Sequence, residues 1–336
     1  MKIAPVLERL LAGEDLSAVE VEEVMDAMLR GELGPSSIAG WLVALRAKGE
    51  TVTEIAAAAR VMRRHAVGIP VPAGRTLVDT CGTGGDKTGT FNLSTAAALT
   101  AAAGGATVAK HGNRSVSSKA GSADVLEALG LRLDLSPERL GEVLEEVGIA
   151  FLFAPSHHGA TRHAVGPRRE LGVRTLFNVL GPLTNPAGAQ RQVLGVFSRD
   201  LVEPIAQVLK ELGTEHALVV HGDGGLDEFS LSGPSWVAEV RDEVRLYELS
   251  PEEVGLDRAP LSALAGGEAS DNAAILRAIF EGEQSPRSDA VALSAGAALY
   301  VAGLHPTLPE AVRASLALLH SGAVATKLDQ LIRACA

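Results

Sequence analysis

Cysteine is nearly absent. Cys81 and Cys335 are the two thiols in 336 residues, too few for a disulfide framework. Aromatic residues are scarce at 3%, which leaves little for the stacking platforms that hold single-stranded nucleic acid. Basic side chains are outnumbered, 30 against 41 acidic ones for a net charge of −11, so the broad basic surface of a sequence-independent nucleic-acid binder is lacking. No uninterrupted apolar run approaches the roughly 20 residues of a membrane span. The opening stretch Met1-Lys-Ile-Ala-Pro-Val-Leu-Glu-Arg-Leu10 has charges inside its apolar run and no secretory cleavage pattern. The expectation is a cytoplasmic protein with small-molecule partners, engaging neither membrane nor nucleic acid.

What is present begins with 46% hydrophobic residues, enough in a chain of this length for two cores. Residues 1–67 read as helices only. Ser17-Ala-Val-Glu20 and Thr51-Val-Thr-Glu54 are capping boxes, and Val21, Val24, Met25, Met28 and Leu29 share one helical face, as do Ile38, Trp41, Leu42 and Leu45. The segment Gly68-Ile-Pro-Val-Pro-Ala-Gly74 reads as a linker, because its prolines and glycines cannot continue a helix. From Thr76 short strands alternate with helices: strands at 76–80, 107–110, 150–153, 192–197, 216–221, 235–240 and 243–248, helices near 94–103, 122–130, 137–148 and 199–212. That alternation predicts a largely parallel sheet covered by helices. Ser136-Pro-Glu and Ser250-Pro-Glu look like helix starts, and the tail from 270 to 335 is helical.

The densest signal is Asp79-Thr-Cys-Gly-Thr-Gly-Gly-Asp86, followed by Asn92-Leu-Ser-Thr95 and an Ala-rich helix. A buried strand emptying into glycines before a helix start is an anion cradle, since backbone N–H groups can reach phosphate oxygens where no side chain intervenes. The theme returns in Lys110-His-Gly-Asn-Arg114 after the strand Thr107-Val-Ala109. Two such loops suggest a ligand with more than one phosphate, and Lys87, Lys110, Arg114 and Lys119 supply local positive charge. The dinucleotide fingerprint fails because Lys87 stands at its last glycine, and the ATP phosphate loop fails at Cys81 and Asp86.

In order, these loops resemble those of the anthranilate phosphoribosyltransferase family. The likeness continues through His157-His-Gly-Ala-Thr-Arg-His163, Arg168-Arg-Glu-Leu-Gly-Val-Arg-Thr-Leu-Phe-Asn178, Leu180-Gly-Pro-Leu-Thr-Asn-Pro186 and Gly222-Asp-Gly-Gly-Leu-Asp-Glu-Phe229. It implies an α/β architecture: a small all-helical N-terminal domain, residues 1–67 joined by mid-chain helices near 162–180, and a larger domain, 76–336, with a mostly parallel sheet flanked by helices. It also implies a homodimer formed through the helical domain, for which the apolar faces around Val6, Leu10, Trp41 and Leu45 are the candidate surface.

The implied reaction joins phosphoribosyl pyrophosphate to the amine of anthranilate. By resemblance, Gly82, Gly85, Asp86, Thr90, Asn92, Leu93, Ser94, Thr95, Lys110, Asn113, Ser117, Ser118 and Ser122 meet phosphoribosyl pyrophosphate. Gly82, His111, Asn113, His158 and Arg168 meet anthranilate, and Ser94, Asp227 and Glu228 hold Mg²⁺. The chemistry suits these types. Mg²⁺ pairs with phosphate oxygens and one or two carboxylates, a lysine is a point charge for phosphate, and a planar guanidinium matches a carboxylate. Asp86 repels phosphate unless it takes ribose hydroxyls or a cation. An aromatic amine is already neutral at physiological pH, so no side chain is expected to be indispensable as a general base. The histidines 157, 158 and 163 are not read as a zinc site, having no cysteine nearby. Two other readings stand beside this one: a pyrimidine-nucleoside phosphorylase, which needs phosphate rather than pyrophosphate and magnesium, and a non-catalytic nucleic-acid binder on the same scaffold, which needs a basic face.

Overall fold

A computed structural model describes residues 2–86, 88–115 and 119–336. Ser117 and Ser118 lie outside the described residues. Four helices come first: α1 (Ala4–Leu11), α2 (Ala18–Leu29), α3 (Pro35–Lys48) and α4 (Val52–His65). Both expected capping boxes are formed, Ser17 with Glu20 at α2 and Thr51 with Glu54 at α4. Val6, Leu10, Trp41 and Leu45 are all buried within the chain. The faces expected to meet a second subunit are therefore spent on internal packing. A helical stripe records that it is covered, not by what.

The sheet has seven strands: β1 (Leu77–Gly82), β2 (Thr107–Gly112), β3 (Ile149–Phe153), β4 (Arg191–Gly195), β5 (His216–Gly222), β6 (Ser235–Val240) and β7 (Val244–Leu249). Their order is β3-β2-β1-β4-β5-β6-β7. The first five are mutually parallel, and β6 and β7 add an antiparallel edge. All seven expected strands form, and the fold is the anticipated helical unit plus mostly parallel sheet. Helices α5 (Leu93–Ala103), α6 (Ser122–Ala128) and α7 (Pro137–Val147) belong to the crossovers, and Arg162–Leu171 packs on α3 and α2. Ser250-Pro-Glu opens one 3₁₀ turn, Pro251–Val254, stopped by left-handed Gly255, rather than a helix.

The chain leaves β1 toward β2 and β3 on one side, then returns to β4 on the other. The strand order thus reverses between β1 and β4, where open α/β sheets leave a crevice at the carboxyl ends of their strands. β1, β2, β4 and β5 each end in glycine, at Gly82, Gly112, Gly195 and Gly222. Three of them accommodate one returning segment. A Cβ on Gly195 would sit 1.6 Å from the Asp227 carbonyl oxygen, on Gly82 2.6 Å from Asp227 Oδ2, and on Gly222 2.5 Å from the Glu228 carbonyl oxygen. The acidic pair crosses those strand ends because no side chains stand there.

Away from this crevice, buried Glu239 on β6 gathers three donors on one oxygen: His216 Nε2 at 3.0 Å, Arg241 Nε at 2.9 Å and the Tyr300 hydroxyl at 2.9 Å. His216 foremost holds the Glu239 carboxyl down at about 2. A carboxyl depressed on folding stabilises above its unfolded value and loses that contribution as pH falls through its folded value. Glu239→Gln should lower the melting temperature at pH 7, with the gap to the parent closing as pH drops from 4.5 toward 2. A gap constant over that range would show that the carboxylate charge is not what stabilises.

Candidate active site

The glycine turn is fixed at successive residues. Thr83 donates its N–H to Gly195 O at 2.9 Å, and its hydroxyl accepts from Phe197 N at 3.0 Å. Gly84, at φ +66°, donates its N–H to Asp227 Oδ2 at 2.7 Å. Gly85, at φ +75°, has its carbonyl held by Arg174 Nη2. Asp86 accepts from the Thr88 hydroxyl at 2.6 Å, and Thr90 bridges to Ala265. Two successive left-handed residues require glycine, which explains the Gly-Gly pair.

β2 runs past Lys110, the end of the strand expected at 107–110, and takes in His111, which the sequence suggests is loop; it pairs with β3 through Lys110↔Phe151 and His111↔Leu152. The strand runs on because buried Asp79 takes the His111 N–H on Oδ1 at 3.1 Å, while Asn185 Nδ2 bonds its Oδ2 at 2.8 Å. Adjacent strand residues face opposite ways, and here that separates two jobs. Lys110 Nζ reaches Thr80 O at 2.5 Å and Ser94 Oγ at 3.3 Å, on the α5 side. His111 packs its ring 5.1 Å from that of His158. Burial lowers Lys110 below the ordinary lysine range, against the opposing pull of Asp79. Lys110 is thus an enclosed cation rather than a solvated one, and Arg114 is engaged by Asp124 and Glu127 at 3.0 and 2.5 Å.

The acidic pair is partly buried. Burial first, then repulsion from Asp86, pushes Asp227 up; burial, then repulsion from Asp227, pushes Glu228 up. The Ser94 backbone N–H, in the first turn of α5, and the Lys110 charge act on Glu228 in the opposite sense. Acidic groups crowded at the switch point call for a proton or a cation. Among the described residues no three His, Cys, Asp or Glu side chains form a ready ligand cage. A few carboxylates without a cage fit Mg²⁺, which keeps waters and takes substrate phosphates.

The remaining expected residues are less uniform. Asn92 donates Nδ2–H to Ala120 O at 3.2 Å and accepts on Oδ1 from Asn272 Nδ2 at 2.9 Å, bracing two loops. Leu93 is in the core and opens α5 with its N–H on Phe91 O at 2.7 Å. The Thr95 hydroxyl is buried without a partner among the described residues. Asn113 is exposed, its Oδ1 taking the Arg114 N–H, and its carbonyl takes the Ser122 hydroxyl at 3.3 Å. Arg168 stacks its guanidinium 4.8 Å from the Phe177 ring centre, with no carboxylate in ion-pair reach among the described residues. Burial, with His158 and His157 adding to it, takes His111 down to about 3, and burial followed by His157 takes His158 to about 4. Sequence reasoning missed Asp79, Arg174 and Asn185. An aspartate inside the apolar run Leu77-Val-Asp-Thr80 was the available signal for the first.

The comparisons agree in direction. Residues 74–325 match a glycosyl transferase family a/b domain, and residues 4–66 its helical bundle domain. Anthranilate phosphoribosyltransferase of Thioalkalivibrio sulfidiphilus is 56% identical over 319 residues, covering 95% of this chain and 94% of that protein. That of Laribacter hongkongensis is 54% identical, covering 97% of this chain and 96% of its own length. Among solved structures, the Thermus thermophilus enzyme superposes with a TM-score of 0.93 at 52% identity, with 98% of each chain covered. The Saccharomyces cerevisiae enzyme in complex with phosphoribosyl pyrophosphate and Mg gives 0.90 at 26% identity, covering 99% of this chain and 97% of that one.

Proposed function

We propose a working arrangement of residues for a chain that belongs to the anthranilate phosphoribosyltransferase family. The chain transfers the phosphoribosyl group of phosphoribosyl pyrophosphate to the amine of anthranilate, releasing pyrophosphate, in tryptophan biosynthesis. The glycine turn Gly82–Asp86, with Thr90, Asn92–Thr95, Lys110, Asn113 and Ser122, receives the donor. His111, Asn113, His158 and Arg168 receive anthranilate, with Gly82 between the two. Ser94, Asp227 and Glu228 would hold Mg²⁺, which when bound neutralises the departing pyrophosphate. The observation carrying this reading is the seating of Asp227 and Glu228 across the ends of β1, β4 and β5, with Gly84 N–H on Asp227 and α5 opening beside Glu228.

Departure of pyrophosphate leaves negative charge to be met by fixed donors, and a preorganised turn meets it without reorganising. Lys110 adds a positive charge that burial makes stronger than in water. On the acceptor side the two histidines are neutral at working pH, so they can orient the ring and its carboxylate but are poor bases. The amine attacks with its own lone pair and loses its proton afterwards. His111→Asn and His158→Asn should each leave measurable turnover, and kcat/KM should show no histidine break between pH 5.5 and 8, since about 3 and 4 lie below that window. Complete loss of activity in either folded variant would restore the case for a base.

The same reading sets a helical unit of residues 1–67, with the helices near 162–180, against a larger unit of 76–336. It makes the protein a homodimer of the cytoplasm, with a contact surface outside the buried faces of Val6 and Trp41. The test is loss of anthranilate fluorescence with phosphoribosyl pyrophosphate and Mg²⁺, run beside thymidine plus phosphate. Turnover confined to the second pair would reject the arrangement.

A further inference from the structure

The glycine turn has an anchor that comes from outside the sheet. Arg174 lies between the helix Arg162–Leu171, which carries Arg168, and the short helix Phe177–Leu180. Its Nη2 donates to the Gly85 carbonyl, and its guanidinium lies 3.7 Å from the centre of the Phe197 ring. Phe197 in turn gives its N–H to Thr83 Oγ1 at 3.0 Å. One cation and one ring therefore grip the turn at Thr83 and at Gly85. The other anchors of the turn are Gly195 O, at the end of β4, and the Asp227 carboxylate, on the segment that crosses the strand ends.

The direction of that grip matters. A trans peptide is planar, with its C=O and N–H pointing opposite ways. The Gly85–Asp86 peptide turns about ψ of Gly85 and φ of Asp86, and glycine, here at φ +75°, leaves its own ψ less restricted than a residue with a Cβ would. Arg174, by taking the Gly85 carbonyl, turns the Asp86 N–H to the opposite face, as a donor of the kind a phosphate oxygen needs. The stack on Phe197 holds the planar guanidinium in register, which a lysine ammonium could not do.

We propose that Arg174 is a positioning residue, presetting the peptide between Gly85 and Asp86 for the pyrophosphate donor and tying the turn to the segment that follows the Arg168 helix. This rests on the reading of the turn as the donor site. Arg174→Ala and Arg174→Lys should each raise KM for phosphoribosyl pyrophosphate about tenfold, the loss of one charge-assisted hydrogen bond. KM for anthranilate should move less than about threefold, and millimolar methylguanidine should lower the raised KM of Arg174→Ala alone. Gly85→Ala, strained at that φ and set 3.3 Å from Arg174 Nη2, is the companion variant. A raised donor KM in Gly85→Ala with parental values in both Arg174 variants overturns the role of Arg174 and leaves the donor site standing. Parental donor KM in all three overturns the donor site as well. If Arg174→Ala does not fold, Arg174→Lys decides: equal loss toward both substrates, or a lower melting temperature with unchanged KM values, means a structural role only.

Discussion

Replacing both acids, Asp227→Asn with Glu228→Gln, is expected to cut turnover by roughly two to three orders of magnitude and abolish its response to Mg²⁺, while leaving the metal-free protein as stable as the parent or more so. The two effects share one cause. Burial and crowding raise both carboxyls, so the ionised pair destabilises the empty fold. An acid raised on folding loses its share of stability as pH climbs from the unfolded value through the folded one, here about 7 for Asp227 and about 8 for Glu228. The parent's metal-free melting temperature should therefore fall between pH 5 and 8, and Mg²⁺ should recover more at pH 8 than at pH 5. The amides remove that slope, and the side-chain oxygen kept by Asp227→Asn can still accept the Gly84 N–H. The orders of magnitude follow from several kcal/mol of charge stabilisation at the leaving group. Full activity in the double variant, or loss of activity together with loss of fold, would contradict this account.

Arg168→Ala should raise KM for anthranilate by about 10- to 100-fold, the ~1.5–3 kcal/mol of a charged hydrogen bond, and change KM for phosphoribosyl pyrophosphate less than about threefold. Arg168 is an unspent cation among the described residues. Arg168 is partly buried and stacked on Phe177, and no carboxylate pairs with it among the described residues. A desolvated guanidinium without an anion is costly unless a ligand supplies one. Arg168→Lys should rescue little, because an ammonium neither stacks nor bonds in two places at once. Equal weakening of both substrates would place Arg168 in the frame of the site rather than against the acceptor.

Much of this was legible in the sequence. Seven strands could be placed because each is a short β-branched or apolar run bounded by Gly, Pro or Asp, and the helix α5 because Ala-rich sequence follows a glycine turn. Gly84 and Asp227 lie 143 positions apart yet bond directly, and the motifs containing them were both identifiable. What stayed hidden depends on contact rather than pattern. Periodicity marks Trp41 as covered, and the resemblance puts Val6 on a contact face, but neither says that α1 and α3 are covered by their own chain. His111 reads as loop because a polar pair after an apolar run usually ends a strand; Asp79 and Asn185, from two other segments, extend it. Arg174 sat in a recognised run without a role, because the carbonyl it grips is 89 residues away.

The glycines closing β1, β4 and β5 limit how this protein can be hardened against heat. Exchanging glycine for alanine is a common stabilising step, since it narrows the unfolded ensemble. At Gly195 or Gly222 the added methyl would displace main chain instead, lifting the acidic segment off the sheet rim. Thermostabilised versions of this enzyme should therefore carry their alanines at open, negative-φ positions such as Gly159 or Gly166, and keep the rim bare.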